Sequence, residues 1–355
     1  MITVVSIVGT RADIIKMSIL IDMLNASNKV NHLLIYSNQH KKMGIRKLDE
    51  FNITEYRVVN EGHQVTNELS KLSESLKFEI NSIKPTVVLV HGDTLTAIAG
   101  ALASHSLDIS IAHIEAGLRS KNFYSPYPEE INRTIITKLA QTHFCPTRTS
   151  FENLIAEGIT AEDIYLTGNT IVDVVRKVSP QSKNIVGISV LITTHRRESW
   201  YVLPEIMSEL VIDFINKYNN ISFVILSHPN PLIYDIYKAK LAHAERVTLV
   251  CEDRYDSCIN HIHNSTFIAT DSCGIQEEAA ILGIPAIILR NETERPESIS
   301  QGCAVLSSVN KDDIYSKMNM LIQNKQKLNS MRKKINDFGD GLSSMKICKL
   351  IENYQ

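Results

Sequence analysis

The stretch Thr86–Arg133, TVVLVHGDTLTAIAGALASHSLDISIAHIEAGLRSKNFYSPYPEEINR, decides the fold. Two short apolar runs within it, Val87–Val90 and Ser110–Ile114, are typical of buried parallel strands. The Ala-rich segment Thr94–His105 between them predicts a crossover helix. Strand, helix and strand would form one βαβ unit, and ligands of open α/β sheets bind at the carboxyl ends of such strands.

Polar residues follow both strands at that edge. Asp93 lies just beyond the first strand, and Glu115 directly follows the second. The next helix is predicted to open at Pro128, which adds Glu129 and, one turn on, Arg133. Three carboxylates and an arginine at one strand edge indicate proton transfer beside an anion.

The length of the chain, 355 residues, favours two domains over one. Its hydrophobic fraction of 44% and charged fraction of 21% are those of a globular protein. A net charge of −2 gives no global field that would attract nucleic acid or a membrane, so we expect neither as a partner.

The N-terminal residues Met1–Val8 lack the basic region and cleavage site of a signal peptide. We expect them to form a first β-strand instead. The six cysteines are scattered, without a CxxC pair or a zinc-like spacing. We therefore expect reduced thiols, a cytoplasmic location and no structural metal.

Strands alternate with helices on both sides of the opening stretch, which predicts a doubly wound parallel sheet. We expect one Rossmann-like domain over residues 1–170 and a second over 171–340, with a linker at Ser179–Lys183 and a cleft between the domains. The segment 341–355 predicts a helix that packs back on the first domain.

The first strand runs into Gly9-Thr10-Arg11, a glycine turn of the kind that offers backbone N–H groups to a phosphate. It is not the GxGxxG fingerprint, so we expect no nicotinamide cofactor. We expect no cofactor of any other kind either. Arg11 and Lys16 are candidate anion ligands, although each alone fits a solvated helix face equally well.

The second half carries its own strand-end clusters, with His195, His228 and Ser272 in them. At Asp271–Glu278 a strand ends, a Ser/Gly turn follows and a helix begins, whose positive end favours a phosphate. Glu278 could bind a ribose diol. The same residues also fit a simple helix N-cap. Arg295 follows the next strand in a loop, where its guanidinium could meet a phosphate.

Several motifs, taken together and in this order, resemble the non-hydrolysing UDP-N-acetylglucosamine 2-epimerase family. They are Gly9-Thr10-Arg11, His91-Gly92-Asp93-Thr94, Glu115-Ala116-Gly117-Leu118-Arg119, Pro128-Glu129-Glu130, Asn132-Arg133, Gly168-Asn169-Thr170, His195-Arg196-Arg197-Glu198, Asp271-Ser272, Gly274-Ile275-Gln276-Glu277-Glu278 and Thr293-Glu294-Arg295-Pro296-Glu297. The resemblance implies a glycosyltransferase-B-like fold, a homodimer and interconversion of UDP-GlcNAc with UDP-ManNAc.

By matching position, the resemblance implies acid/base roles for Asp93, Glu115 and Glu129. The positions that match its nucleotide- and diphosphate-binding residues are Arg11, Lys16, Arg133, His195, His228, Ser272, Gly274, Glu278 and Arg295. We group His195 with the catalytic residues as well, because a cation there would stabilise the leaving diphosphate.

The proton at C2 of a sugar is not acidic, since no carbonyl adjoins it. Elimination of UDP to 2-acetamidoglucal, followed by re-addition after reprotonation on the other face, is the better route. Inversion by that route needs acid/base groups on two faces, hence more than one carboxylate.

The chain departs from the family pattern in places. Ala12-Asp13 stands where Pro-Glu is usual and is closer to the hydrolysing branch, while Cys273 replaces a glycine in the presumed phosphate turn. Gln39 and His40, together with Gln64, are candidates for an allosteric UDP-GlcNAc site, although Lys41 follows where the family has arginine.

Three alternatives stay open at this point. The substrate could be a modified UDP-sugar such as a UDP-2,3-diacetamido glucuronic acid, with Lys121 or Arg196 as the extra cationic contact. The enzyme could be a hydrolysing epimerase that releases ManNAc and UDP. From another class, a glycosyltransferase of the same architecture fits the second half, but it has no use for the acidic cluster of the first.

Overall fold

A computed structural model describes residues 1–59, 68–178, 180, 187–196, 199–228, 230–251 and 254–354 of the chain. The chain forms two compact units, unit 1 (Met1–Lys177 and Asp337–Gln355) and unit 2 (Val178–Asn336). Each unit contains one parallel sheet that alternates with helices along the chain. The predicted α/β class with two Rossmann-like domains is confirmed. Apart from Pro180, the predicted linker Ser179–Lys183 lies outside the described residues.

Unit 1 begins with a strand and alternates strands and helices throughout. Its elements are β1 Ile2–Val8, α1 Arg11–Ala26, β2 Val30–Tyr36, α2 Lys41–Glu50, β3 Arg57–Val58, α3 Leu69–Ile83, β4 Val87–His91, α4 Leu95–His105, β5 Ser110–Ile114, α5 Glu129–Leu139, β6 Thr142–Cys145, α6 Arg148–Ala156, the 3₁₀ turn Ala161–Asp163, β7 Ile164–Leu166 and α7 Thr170–Val178.

Unit 2 repeats the pattern, and the chain then returns to unit 1. The elements are β8 Ile188–Thr194, α8 Leu203–Lys217, β9 Ile221–Ser227, α9 Pro231–Leu241, β10 Val247–Cys251, α10 Tyr255–His263, β11 Phe267–Thr270, α11 Cys273–Leu282, β12 Ala286–Leu289, α12 Glu297–Ser300, β13 Ala304–Ser307, α13 Lys311–Gln323, α14 Lys325–Met331 and, in unit 1, α15 Ser343–Ile351. Among these described helices, none is long and apolar enough to cross a membrane.

The strand order has one reversal point in each sheet. Within the described residues, the strands of unit 1 lie in the order β3-β2-β1-β4-β5-β6-β7, and those of unit 2 in the order β10-β9-β8-β11-β12-β13. The order reverses between β1 and β4 and again between β8 and β11. Such switch points are where open α/β sheets bind their ligands.

The sheet of unit 1 is buried on both faces, as parallel sheets are. Val4 and Val8 of β1 pack in one core cluster, which contains residues of α1. Val5 and Ile7, which alternate with them, pack in another, which contains residues of α3. The buried residues of the strand, which are apolar except for Ser6, therefore contact two cores, and this explains why such strands are recognisable as nearly continuous apolar runs.

Helix α15 packs within unit 1. Ile347 and Ile351 belong to the core cluster that contains α1. The carboxylate of Asp173 in α7 accepts hydrogen bonds from Ser343 N at 3.1 Å and Ser344 N at 2.6 Å. This carboxylate satisfies orphan N–H groups of the first turn of α15 and fixes where the helix starts.

The starts of two helices depend on their caps. Helix α1 begins at Arg11, because Thr10 and Asp13 form a capping box, which satisfies the first N–H groups. Helix α9 was not predicted; it follows Asn230, whose side chain accepts from Leu232 N at 3.1 Å.

Candidate functional site

The turn between β1 and α1 is packed too tightly for a side chain at Gly9. A Cβ there would lie 2.0 Å from Thr96 Oγ1 and 2.2 Å from Ser37 Oγ. The N–H groups of Gly9 and Thr10 donate to Asp13 Oδ2 at 3.2 and 3.1 Å. The expectation that these two amides are offered to a phosphate is therefore wrong, because the buried carboxylate of Asp13 accepts from them.

Asp93 is held at the carboxyl end of β4 by helix α5. Its carboxylate pairs with the guanidinium of Arg133, and Asn132 Nδ2 donates to its backbone oxygen at 2.8 Å. Arg133 Nη1 also lies 3.3 Å from Glu130 Oε2. A buried arginine thus lies between two carboxylates, one from the strand end and one from its own helix.

Glu115 forms the second acid–cation pair of this edge. Its carboxylate contacts Lys16 Nζ, and both side chains are 7% exposed. Glu115 has a φ of +65°, which is uncommon outside glycine and is found at sites where the surrounding structure holds the strain. A backbone conformation that glycine usually adopts in turns thus carries a charged side chain here, directly after β5.

His113 supports the neighbouring turn. Its Nε2 donates to Gly92 O at 2.7 Å, and Gly92 has a φ of +63°. Complete burial lowers the pKa of His113 to about 3. The imidazole is therefore neutral and acts as a hydrogen-bond donor that fixes the turn before Asp93.

The third predicted carboxylate, Glu129, is the first residue of α5 and is half-buried. The adjacent Glu130 is buried and accepts from Ser120 N at 3.0 Å and Lys121 N at 2.9 Å. Sequence reasoning missed this role of Glu130. The signal was available, because Glu130 precedes Arg133 by three residues and shares its helix face.

Two of the three allosteric candidates lie beside the switch point of unit 1. Gln39 Oε1 accepts from Thr96 N at 3.1 Å and from Thr96 Oγ1 at 2.6 Å. His40 Nδ1 accepts from Arg11 N at 3.1 Å. Both side chains therefore contact the first turns of helices, Gln39 that of α4 and His40 that of α1. The third candidate, Gln64, lies outside the described residues.

In unit 2, Asp271 organises the switch point between β8 and β11. Its carboxylate accepts from His195 N at 2.8 Å, Arg196 N at 3.1 Å and Ser199 Oγ at 2.8 Å. Burial raises the pKa of Asp271, and these hydrogen bonds oppose the rise. Sequence reasoning quoted Asp271 but gave it no role; its place at the end of β11 was the available signal.

The two candidate histidines of unit 2 are neighbours. The rings of His195 and His228 lie 5.7 Å apart, and the ring of Trp200 lies 5.3 Å from that of His228. Trp200 Nε1 donates to His195 O at 3.1 Å. One helix and one strand lie between these two histidines in the sequence. The sheet brings them together at its edge, as their strand-end positions predicted.

The start of α11 leaves room for a ligand. Ser272 is the N-cap, and within the described chain its side chain makes no capping hydrogen bond. A Cβ built on Gly274 would meet nothing within 4 Å. Glu278, one turn further, is buried beside Tyr255, whose pKa rises well above its usual value through burial and then through that carboxylate.

Arg295 lies in an ion-pair network. Its Nε is 2.5 Å from Glu277 Oε1, its Nη1 is 2.8 Å from Glu294 Oε1, and the residue is 5% exposed. The sequence placed it in an accessible loop. Its guanidinium already pairs with two carboxylates, so a phosphate would have to share it with them.

Cys273 contacts the same network, since its Sγ donates to Glu294 Oε1 at 2.9 Å. Its Sγ lies 2.8 Å from Arg196 Nη2 and 2.9 Å from Arg290 Nη1. All six cysteines of the chain are free thiols. Among the described residues, no group of three or more His, Cys, Asp or Glu could hold a metal ion.

A family model described as UDP-N-acetylglucosamine 2-epimerase matches residues 22–352 of the chain. The chain belongs to the UDP-N-acetylglucosamine 2-epimerase family. The resemblance drawn from the motifs is thereby confirmed. A putative UDP-N-acetylglucosamine 2-epimerase from Thermotoga maritima is 36% identical to this family member over 365 residues, which cover 99% of this chain and 96% of the relative.

Solved structures of the family agree along the whole chain. The S. aureus MnaA-UDP co-structure has a TM-score of 0.94 and 34% identity, and the match covers 100% of this chain and 97% of that one. UDP-GlcNAc 2-epimerase from Neisseria meningitidis bound to UDP-GlcNAc has a TM-score of 0.90 and 31% identity, with coverage of 98% and 99%. Both matches therefore extend over nearly the whole length of each pair of chains.

Proposed function

We propose that this protein is an enzyme that inverts C2 of a UDP-linked N-acetylhexosamine, converting UDP-GlcNAc to UDP-ManNAc without net hydrolysis. The observation that carries the proposal is the pairing of Asp93 with Arg133 and of Glu115 with Lys16 at the switch point of unit 1. In a member of this epimerase family, two acid–cation pairs at one sheet edge, each with a buried cation, fit proton transfer beside a leaving diphosphate.

The proposed reaction is an elimination followed by an addition. One carboxylate removes the proton from C2 while the bond from C1 to the diphosphate oxygen breaks, and the C–H electron pair becomes the C1–C2 double bond of 2-acetamidoglucal. A second carboxylate returns a proton to the opposite face of C2, and UDP adds back to C1. Asp93, Glu115 and Glu129 are the groups that we assign to these transfers.

UDP is assigned mainly to unit 2. We propose that Ser272, Gly274 and the start of α11 bind the diphosphate, since a helix N-terminus with free space beside it favours an anion. Glu278 is assigned to the ribose diol. The remaining assigned contacts to the nucleotide and diphosphate are those of Arg11, Lys16, Arg133, His195, His228 and Arg295, with His195 nearest to the leaving group.

The proposal includes a cytoplasmic homodimer, as the family resemblance implies. It also includes the allosteric role of Gln39, His40 and Gln64. Gln39 and His40 support that role because they accept hydrogen bonds from Thr96 and Arg11, which lie in the first turns of α4 and α1. Rates in the UDP-ManNAc direction should rise on addition of UDP-GlcNAc, and an unchanged rate would exclude the role.

The testing experiment is NMR of UDP-GlcNAc incubated with the protein in deuterated water. Epimerisation with one deuterium at C2 of the product supports the proposal. Product without deuterium at C2 contradicts it. Free ManNAc with an equal amount of UDP would instead identify a hydrolysing epimerase, and an unchanged spectrum would indicate binding without turnover.

A further inference from the structure

Two buried residues behind Glu115 are not used by the proposed chemistry. His91 ends β4 and is 3% exposed, and Asp13 lies in the first turn of α1 and is 2% exposed. His91 Nδ1 lies 3.9 Å from Asp13 Oδ1, and His91 Nε2 lies 4.0 Å from Glu115 Oε2. One imidazole thus has a carboxylate near each of its two nitrogens.

We propose that Asp13, His91 and Glu115 form a buried proton relay in which His91 passes protons between Glu115 and Asp13. The proposal rests on the proposed epimerisation, because it explains how Glu115 returns to its starting protonation state. His91 and Asp13 are assigned no contact with the substrate, and they act only through Glu115.

The relay balances as follows. Glu115, once protonated by the C2 proton of the sugar, gives that proton to His91 Nε2. His91 gives its Nδ1 proton to Asp13 Oδ1. Glu115 is then a carboxylate again, His91 is neutral in its other tautomer, and Asp13 is a carboxylic acid. The same steps run backwards when Glu115 has to donate a proton.

Both gaps are longer than a hydrogen bond of about 3 Å, so the ring must move by about 1 Å towards each partner in turn. A short movement of one ring between its two partners suits a relay, because the ring can accept a proton from one partner and release a proton to the other. Lys16 keeps Glu115 in place during this exchange, since its ammonium contacts the same carboxylate oxygen that His91 approaches.

The surroundings of Asp13 favour its protonated form. Burial raises its pKa to about 7, opposed by hydrogen bonds from the backbone of Thr10 and Gly9 and from the Thr10 side chain, and the charge of Asp93 adds to the rise. Near neutral pH this carboxyl is therefore poised between its two forms, as a group that both accepts and releases protons has to be.

Other titratable groups also face the relay and bear on its pH dependence. Tyr36 of β2 is close enough to Asp13 for the carboxylate to contribute to its raised pKa. His113 of β5 is close enough to His91 for the latter to contribute to its lowered pKa. Lys16 and Asp93 complete the set, and Thr94 Oγ1 donates to Asp13 Oδ2 at 3.4 Å.

The test compares four variants. His91→Gln and Asp13→Asn remove titration at each relay position with little change in shape, and Asp13→Glu keeps the carboxylate. His143→Gln is the matched control, because His143 is a buried histidine of the same sheet whose Nε2 donates to Thr137 O at 3.1 Å. Thermal unfolding and UDP affinity establish that each variant is folded.

We expect His91→Gln and Asp13→Asn to lower kcat by about ten-fold to a hundred-fold, with KM and UDP affinity within about two-fold of wild type. In the direction of epimerisation in which Glu115 takes the C2 proton, kcat of wild type should rise with pH through about 7, because ionised Asp13 is the proton acceptor, and Asp13→Asn should lack this rise. Asp13→Glu should recover most of kcat.

A relay variant that behaves like His143→Gln across the pH range overturns the relay, as does a loss confined to KM. If His91→Gln does not fold, Asp13→Asn decides the question alone. A wild-type enzyme without epimerase activity would overturn the proposed function and the relay with it. An active wild type with an unaffected Asp13→Asn overturns the relay only.

Discussion

The two sheet edges carry ionisable groups in different arrangements. At the edge of unit 1, acids and cations meet in small sets, Glu115 with Lys16 and Asp93 with Arg133, each from separate elements. At the edge of unit 2, Arg295 belongs to a buried network with Glu277 and Glu294, while Ser272 and Gly274 beside it are uncharged. We infer that the paired charges of unit 1 serve the proposed reaction, and that the Arg295 network of unit 2 stabilises the fold in addition to its proposed contact with the nucleotide.

The largest effect should follow a change to the acids of unit 1. Asp93→Asn removes the acid/base function but keeps the shape, so kcat should fall by about 10²-fold to 10⁴-fold. UDP affinity should change little, because the nucleotide is assigned mainly to unit 2. The measurements are initial rates by NMR and UDP titration by calorimetry.

Asp22→Asn is the control for Asp93→Asn, since Asp22 also pairs with a cation, Lys177, but on the surface. It should leave kcat unchanged. Equal kcat values for the two variants would contradict the catalytic role of Asp93, and with it the reactive character assigned to the edge of unit 1.

The next effect concerns stability in unit 2. Arg295→Met leaves Glu277 and Glu294 short of a buried partner, which typically costs about 3–5 kcal/mol. Arg148→Met, which removes an exposed pair with Glu152, should cost less than about 1 kcal/mol. Hydrogen exchange of α11 and α6 amides would measure each unit separately. Equal losses would show that the network of unit 2 is not structural.

A smaller effect concerns pH and unit 1. The folded-state pKa of Asp13, about 7, lies above the ordinary value of 3.8, so the folded state binds the proton more tightly. The stability from this group is full below pH 3.8 and is lost as the pH rises through 7. Between pH 5 and pH 7, wild type should lose about 2 kcal/mol relative to Asp13→Asn.

Hydrogen exchange of buried α1 amides, corrected for the intrinsic pH dependence of exchange, would measure this difference. Comparison with Asp13→Asn isolates Asp13, because His113, whose lowered pKa acts in the opposite sense, is common to both proteins. A constant difference from pH 5 to pH 7 would contradict the raised pKa.

The smallest effect concerns the uncharged edge of unit 2. Gly274→Ala finds open space and no positive φ, so the fold should tolerate it. A bound diphosphate would meet the new methyl group, and the Kd of UDP should rise about ten-fold. Gly158→Ala is the opposite control: Gly158 is equally open but has a φ of +82°, so stability should fall and UDP affinity should not. Unchanged UDP affinity in Gly274→Ala would show that the diphosphate does not bind beside Gly274.

The sequence predicted strands better than helices for a physical reason. Apolar strands buried on both faces stand out as continuous runs, and Ser110–Ile114 was predicted to the residue. Helix α9 begins with Pro231 and was missed because its surroundings resemble a turn. Its burial of Ile233, Tyr237 and Leu241 is a tertiary effect that local propensity does not reveal.

The candidate site was predictable where residues follow strands and not where partners come from afar. Strand-end position brought His195 near His228 and Asp93 to the edge shared with Glu115. The burial of Arg295 depends on Glu277, which comes from a helix 18 residues earlier. The burial of Asp13 depends on the packing of α1, of which spacing alone gives no sign. The capping box did have a signal, which was missed, because Thr10 and Asp13 stand three residues apart before an apolar run.

The return of α15 to unit 1 affects the order in which the protein can be completed during synthesis. Nearly all of unit 1 leaves the ribosome first, but Ile347 and Ile351, which fill its core beside α1, emerge only after the whole of unit 2. Unit 1 is thus the first unit to be translated and the last to complete its core. Until then an apolar face of α1 is exposed, and a chaperone that binds such faces would be expected to engage nascent chains that stop short of residue 343.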